Sequence, residues 1–402
     1  VTALANLFFF FALLPFMSPV PVRSDVQLPA FIVAVLLIAI DIVRGKFTVG
    51  AVQGLFLAIA VWSFCFVLPD GIFTLRERVG LFLAFVVYYV VRKHAFRFSH
   101  KTLYAAILLN FAATMFQWQF LDLYSRLAPY VVRTVKEFGF MGRGMSGLSA
   151  EPSFLAAMAL AHGLLVFYYR KYGGMGPKMF WSGLGMSVVA LLLSRSATGF
   201  VFLFVVIAIA IVYYAFRGMK PMVWVGLIVA VVLGLALIIG PMADSRGGAI
   251  VVAAYENPKQ VVSDGSAQER TRSLIVGVLS LYHHPLGAGG GAFPYVASEM
   301  NERYRLERIF EQARPETVGG VLNAGGLYLA EMGFLFVFFL AVVLMASFRL
   351  DVFSLTYSWL ALMFILLTFS ITFPLTWILL GITARRRPGT HPQPIRPEAA
   401  AA

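Results

Sequence analysis

Four short polar stretches carry the reactive groups of this sequence. The first runs Arg143-Gly144-Met145-Ser146-Gly147-Leu148-Ser149-Ala150-Glu151-Pro152-Ser153. Pro152 suits the first turn of a helix, where its missing N–H does no harm. Glu151 beside it either complements the positive end of that helix or, as a carboxylate at an apolar boundary, marks a site. The second stretch, Ser194-Arg195-Ser196-Ala197-Thr198-Gly199, reads as a tight turn between two spans. Its small residues permit close helix packing, and Arg195 either extends to the interface or serves a substrate.

The third stretch holds Arg270 and Arg272, whose forked donors suit phosphate and whose charge persists at any physiological pH. A solvated surface arginine is the plainer alternative. The fourth runs from Asn323-Ala324-Gly325-Gly326 through Tyr328 to Glu331-Met332-Gly333. Small residues and an Asn at the top of a span suit packing or hydrogen bonding to a substrate. Glu331 lies about two turns into an apolar run, where an unpaired charge costs about 2.5–3.5 kcal/mol. It should therefore face the bundle interior and have a partner, an arginine being the natural one.

Other chemistries find no support. No Walker A loop, zinc-helix motif, haem or iron–sulfur pattern, or Ser-His-Asp signature is present, and neither a metal nor a cofactor is expected. The run Gly287-Ala288-Gly289-Gly290-Gly291 lacks the Lys-Ser/Thr ending and the strand–turn–helix context of a nucleotide loop. His284, just before it, reads as a loop-packing residue more readily than as a catalyst. The single cysteine, Cys65, rules out an intramolecular disulfide and reads as a small buried hydrophobe.

The elements that must position these groups are membrane spans. Hydrophobic residues make up 60% of the 402 and charged residues 13%, against nearly half and a quarter in soluble domains. The mean hydropathy of +0.83 fits helices buried all round. Apolar stretches fall at about 4–20, 28–43, 48–69, 75–91, 102–121, 149–169, 178–193, 197–216, 221–240 and 321–346. The first has a signal-peptide look but lacks a basic leader, and is read as the first helix. A final stretch, 353–383, is interrupted by Pro374 and is either one tilted helix or two short ones.

The expected fold is thus all-α, a polytopic transmembrane bundle of 11–12 spans with a large, partly helical loop. Its parts are N-terminal spans at 1–121, a medium loop at 122–148, central spans at 149–240, a large loop at 241–320, C-terminal spans at 321–384 and a disordered tail at 385–402.

The net charge of +13 does not point to nucleic acid, because the bases sit in short gaps between spans. Arg44 and Lys46, Arg92, Lys93, Arg97 and Lys101, Arg170, Lys171 and Lys178, Arg217 and Lys220, and Arg349 all fall on one side, read as cytoplasmic. Both polar loops fall on the other. Within the large loop, Gln268–Tyr282 has Leu274, Val278 and Leu281 at helical spacing, and a second helix is expected over Ala297–Gln312, dense in charge. One face thus gathers arginines, carboxylates and a folded loop. That suits a large anionic substrate whose lipid part lies in the bilayer.

These stretches together resemble the bacterial O-antigen polymerase (Wzy-type) and O-antigen ligase superfamily, in motif order over about 140–335 and in topology throughout. Arg143 through Glu151-Pro152-Ser153, the Ser194–Gly199 turn, Arg270 followed by His284-Pro285-Leu286-Gly287, and Asn323 with Glu331-x-Gly333 carry the likeness. The resemblance implies an undecaprenyl-diphosphate-linked glycan as substrate. It implies inverting, metal-independent glycosyl transfer at the periplasmic face of the bacterial inner membrane, with the lipid bilayer and a chain-length regulator as further partners.

On that reading Glu151 and Arg270 are catalytic, while Arg143, Arg195, Arg272, Asn323, His284 and Glu331 bind substrate. In the ligases a His commonly precedes the Asn; here that position is Leu322, which favours a repeat-unit polymerase. A ligase transferring glycan to lipid A core or another acceptor is the alternative. A transporter or flippase is the third reading, disfavoured because polarity is concentrated in one outer loop.

Overall fold

The structure is a computed structural model and describes residues 1–18, 27–65, 74–132, 144–215, 265–306, 324–348, 351–368 and 370–384. Among them are fifteen α-helices and no strand, so the chain is an all-α polytopic membrane protein. The N-terminal helices are α1 (Thr2–Leu13), α2 (Leu28–Val43), α3 (Ala51–Cys65), α4 (Thr74–His94), α5 (His100–Gln119) and α6 (Leu121–Val131). The central ones are α7 (Pro152–Tyr172), α8 (Pro177–Ser194) and α9 (Ala197–Ala215), and the large loop holds α10 (Gly265–His283) and α11 (Phe293–Tyr304). The C-terminal helices are α12 (Ala324–Met332), α13 (Phe334–Ser347), α14 (Val352–Met363) and α15 (Pro374–Ala384).

Among the described residues four helices are long and apolar enough to cross a membrane: Val79–Arg97, α7, α8 and α9. Shorter apolar helices complete the bundle. Lipid tails are as apolar as these side chains, so packing rather than transfer out of water holds such helices together. The centre is accordingly aromatic and dense, with Phe56 against Phe339 and Trp377 at 4.6 and 5.0 Å between ring centroids.

The alternation of basic linkers has a direct counterpart. Lys93 donates to the Lys46 carbonyl, His100 Nδ1 lies 3.1 Å from Gly173 O, and Lys171 sits 5.2 Å over the Phe353 ring. The linkers at 44–50, 95–99 and 173–176 and the start of α14 therefore share one end of the bundle, the basic end. At the other, the loop end, Phe16 stacks on Phe154 at 4.8 Å and approaches Phe373 at 6.0 Å.

Several expected spans are shorter or broken. The stretch 4–20 is helical only to Leu13; beyond it Pro15 and Phe16 run irregularly, and Phe16 is buried. Gln27 Nε2 donates to the carbonyls of Phe11 and Leu14 at 3.0 and 2.9 Å, satisfying groups the helix end leaves open. Irregular backbone is tolerated at such depth where protein covers it.

The stretch 321–346 breaks at Gly333, where φ is +58°. The stretch 353–383 resolves into α14, extended by a single π turn over Phe364–Thr368, and α15 starting at Pro374. The medium loop begins as α6, set off from α5 at Phe120. In the large loop the second helix starts four residues earlier than expected, with Pro294 in its first turn, and ends where Arg305 turns left-handed. The span expected at 221–240, the tail 385–402, Arg143, Leu322 and Asn323 lie outside the described residues.

Candidate functional site

The segment 144–151 rests on three polar residues of α5, two of which bond its amides. Asn110, Thr114 and Gln117 lie at i, i+4 and i+7, one face of the helix, and all are buried. Gln117 Oε1 accepts from the amides of Ser146 and Gly147 at 2.8 and 2.9 Å, and Asn110 Oδ1 from Leu148 N at 3.1 Å. Thr114 donates to Asn110 O at 2.8 Å. From α6 the Tyr124 hydroxyl donates to the Gly147 carbonyl, and burial pushes that phenol above its ordinary value, keeping it a donor. Ser149 Oγ lies 2.6 Å from Ser146 O and 2.8 Å from Glu151 O. The chain thus arrives at α7 with Glu151 as N-cap, its carboxylate exposed and Ser153 Oγ at 3.4 Å.

The turn between α8 and α9 lies against this segment, since Met145 N donates to Leu193 O at 2.9 Å. Arg195 ends α8 in the left-handed region (φ 48°) with its side chain exposed. A non-glycine residue there carries strain of about 1–3 kcal/mol, a feature that gathers at functional sites. Arg270 reaches the first turn of α9, its Nη1 lying 3.5 Å from Thr198 Oγ1. The N-termini of α7 and α9 both open at the loop end, and the two helices pack together. Each N-terminus carries a partial positive charge, although the Gly199 amide of α9 is taken by Ser196 Oγ and the Phe154 amide of α7 by Glu151 O. With Arg195 and Arg270 beside them, the arrangement is electropositive and suited to an anion.

The other candidate residues frame the large loop. Arg272 is buried, with Nε 3.2 Å from Asn301 Oδ1, tying α10 to α11. His284 Nε2 lies 2.9 Å from Glu299 Oε2, a contact between the turn and α11. The hydrogen bond from His284 holds the Glu299 carboxyl below its ordinary value, with Arg303, 3.6 Å from its other oxygen, adding to the effect. Glu331 is buried as expected, and its Oε1 accepts from the amide of Gly291 at 2.8 Å.

Around Glu331 the glycine-rich run closes on the broken helix. Ala288 N and Gly289 N donate to the carbonyls of Ala330 and Glu331, both at 3.0 Å, while Phe334 N donates to Pro285 O at 2.8 Å. The fit is tight enough that a Cβ on Gly333 would sit 2.2 Å from Pro285 O, and one on Gly287 2.2 Å from Glu331 O. Both glycines have positive φ, so only glycine serves.

Of the expected site residues, then, Arg195, Arg270 and the segment leading to Glu151 converge on the α7–α9 entrance. Arg272, His284 and Glu331 join parts of the loop that carries Arg270. The α5 clamp and Thr198 were not singled out in the sequence. The signal for the clamp was there, as polar residues at helical spacing inside an apolar span. Among the described residues no three His, Cys, Asp or Glu side chains group together.

Comparison with known families adds an independent observation. A family model described as O-antigen ligase matches residues 182–314, which take in the Arg195 turn, Arg270, Arg272 and His284. The chain matches no curated protein sequence.

Proposed function

We propose, from the likeness of residues 182–314 to the O-antigen ligase family model, that the chain polymerises lipid-linked oligosaccharide repeat units. Polymerase- or ligase-type glycan transfer is what the family match supports; the narrower reading rests on Leu322 in the sequence. The substrate would be an undecaprenyl-diphosphate-linked glycan, met at the periplasmic face of the inner membrane.

The observation that carries the reading is Arg270 at Thr198, above the N-terminal turn of α9 and beside the strained Arg195 turn. In the reaction the bond between the donor's anomeric carbon and its phosphate oxygen breaks, and a sugar hydroxyl of the acceptor forms the new glycosidic bond. The departing diphosphate gains negative charge. Arg270, Arg195 and the two helix N-termini are the groups that stabilise it, and in this reading they do so without a metal. Holding donor and acceptor together supplies much of the remaining rate. Glu151, exposed at the mouth of α7, accepts the proton of the attacking hydroxyl. Arg143 and Asn323 are proposed as further substrate contacts on the resemblance alone.

A second reading, ligation of finished glycan to another acceptor, is favoured by the match to an O-antigen ligase family. Leu322, where the ligases commonly have His, favours polymerisation. A surface-polysaccharide ladder gel separates the two. A deletion strain of a polymerase shows a single capped repeat unit, whereas a ligase deletion accumulates full-length lipid-linked polymer. Complementation with Arg270→Ala, present at normal level, is expected to leave the ladder missing, since loss of one such donor costs on the order of 100-fold in rate. An unchanged glycan pattern in the deletion strain would overturn both readings.

A further inference from the structure

The large loop presents an exposed apolar stripe that nothing in the proposed reaction uses. Along α10, Val278 and Tyr282 lie on one face, 53% and 82% exposed, with Ile275 partly exposed on the same face. Leu286 in the following turn continues the stripe at 80% exposure. Between Ile275 and Leu286 the chain has no Lys, Arg, Asp or Glu. Among the described residues of the loop the exposed charges are Glu302, Arg303 and Arg305 on and just after α11, and Arg303 with Glu299 reaches back to His283 and His284 at the polar edge of the stripe.

The stripe runs into a lipid-facing surface. On α13 the exposed residues Phe334, Val337, Phe338, Ala341 and Met345 recur at helical spacing along an apolar helix. Phe334 N is the donor to Pro285 O at 2.8 Å, so Leu286 sits at the level of the first lipid-facing side chain of α13. Gly287, Ala288, Gly289, Gly291 and Ala292 each donate their amide to a protein acceptor, so most of the turn's backbone is satisfied within the protein.

We infer that α10 and the turn 284–291 form an interfacial element, seated in the lipid headgroup layer on the Val278–Tyr282–Leu286 face. Its partner is the bilayer surface itself. Tyrosine suits that layer, with an apolar ring and a polar tip. The geometry holds Arg270, about 12 Å back along the helix from Val278, close to headgroup depth. The placement stands whether or not the glycosyl-transfer reading is correct.

The test uses the full chain with Cys65→Ala, reconstituted in vesicles of phosphatidylcholine and phosphatidylglycerol. Single cysteines at Tyr282→Cys and Leu286→Cys carry an environment-sensitive fluorophore. Phe338→Cys is the lipid reference and Glu302→Cys the aqueous one. Blue-shifted emission at positions 282 and 286, quenched by brominated lipid as at 338 and resistant to iodide, is the expected result. Quenching by iodide as at 302, with none from brominated lipid, would show a face open to water or glycan and overturn the inference. Resistance to both quenchers would show a protein partner on the stripe, a second copy included, and would overturn it equally. Because the probed side chains are exposed, the substitutions leave the packing beneath them intact.

Discussion

At Arg195 the backbone adopts a conformation that glycine would take without strain. Arg195→Gly therefore separates fold from function. The melting temperature of the purified protein should hold or rise, while the polysaccharide ladder weakens; a full ladder would assign the arginine to the turn alone. A second residue-scale expectation concerns Glu299. Because His284 holds its carboxyl below the ordinary range, folding favours the carboxylate. That contribution is complete above the ordinary carboxylate pKa and disappears as pH falls through the lowered one. The pair is partly exposed, so it is worth no more than about 1 kcal/mol. Thermal unfolding of wild type and Glu299→Gln should differ at neutral pH and converge in acid; a constant difference would contradict this.

The elements show why some of this was legible in the sequence and some was not. Apolar runs announced the helices because lipid demands unbroken hydrophobic length, and the basic linkers announced which ends share a side. The breaks were hidden. Composition does not distinguish a continuous span from α12 and α13, because a helix crossing Gly333 would have the same apolar run. What breaks it is the turn at 285–289, brought from more than forty residues earlier to bond both sides of the gap. The α5 clamp was readable in principle, but Asn110 and Gln117 look like tolerated polar residues until the amides they receive are known. Gln117→Leu should leave the protein in the membrane at normal level. It should weaken polymer output about tenfold or more, since two buried amides lose an acceptor at about 1–3 kcal/mol each. Normal output would mean that the segment before Glu151 needs no clamp.

For the whole molecule, the two ends differ in kind: one gathers lysines and arginines beside short linkers, the other gathers loops, helix N-termini and the anion-suited entrance. Single cysteines at Lys171→Cys and Glu302→Cys, in the Cys65→Ala background, should label from opposite sides of sealed vesicles with an impermeant maleimide. Labelling from one side would contradict the topology. The closure of the glycine-rich turn on the broken helix also orders events in time. Residues 285–291 leave the ribosome before Glu331 and Gly333 exist, so for a few seconds of synthesis the loop has no seat. The turn can take its seat only once the following helices have been made.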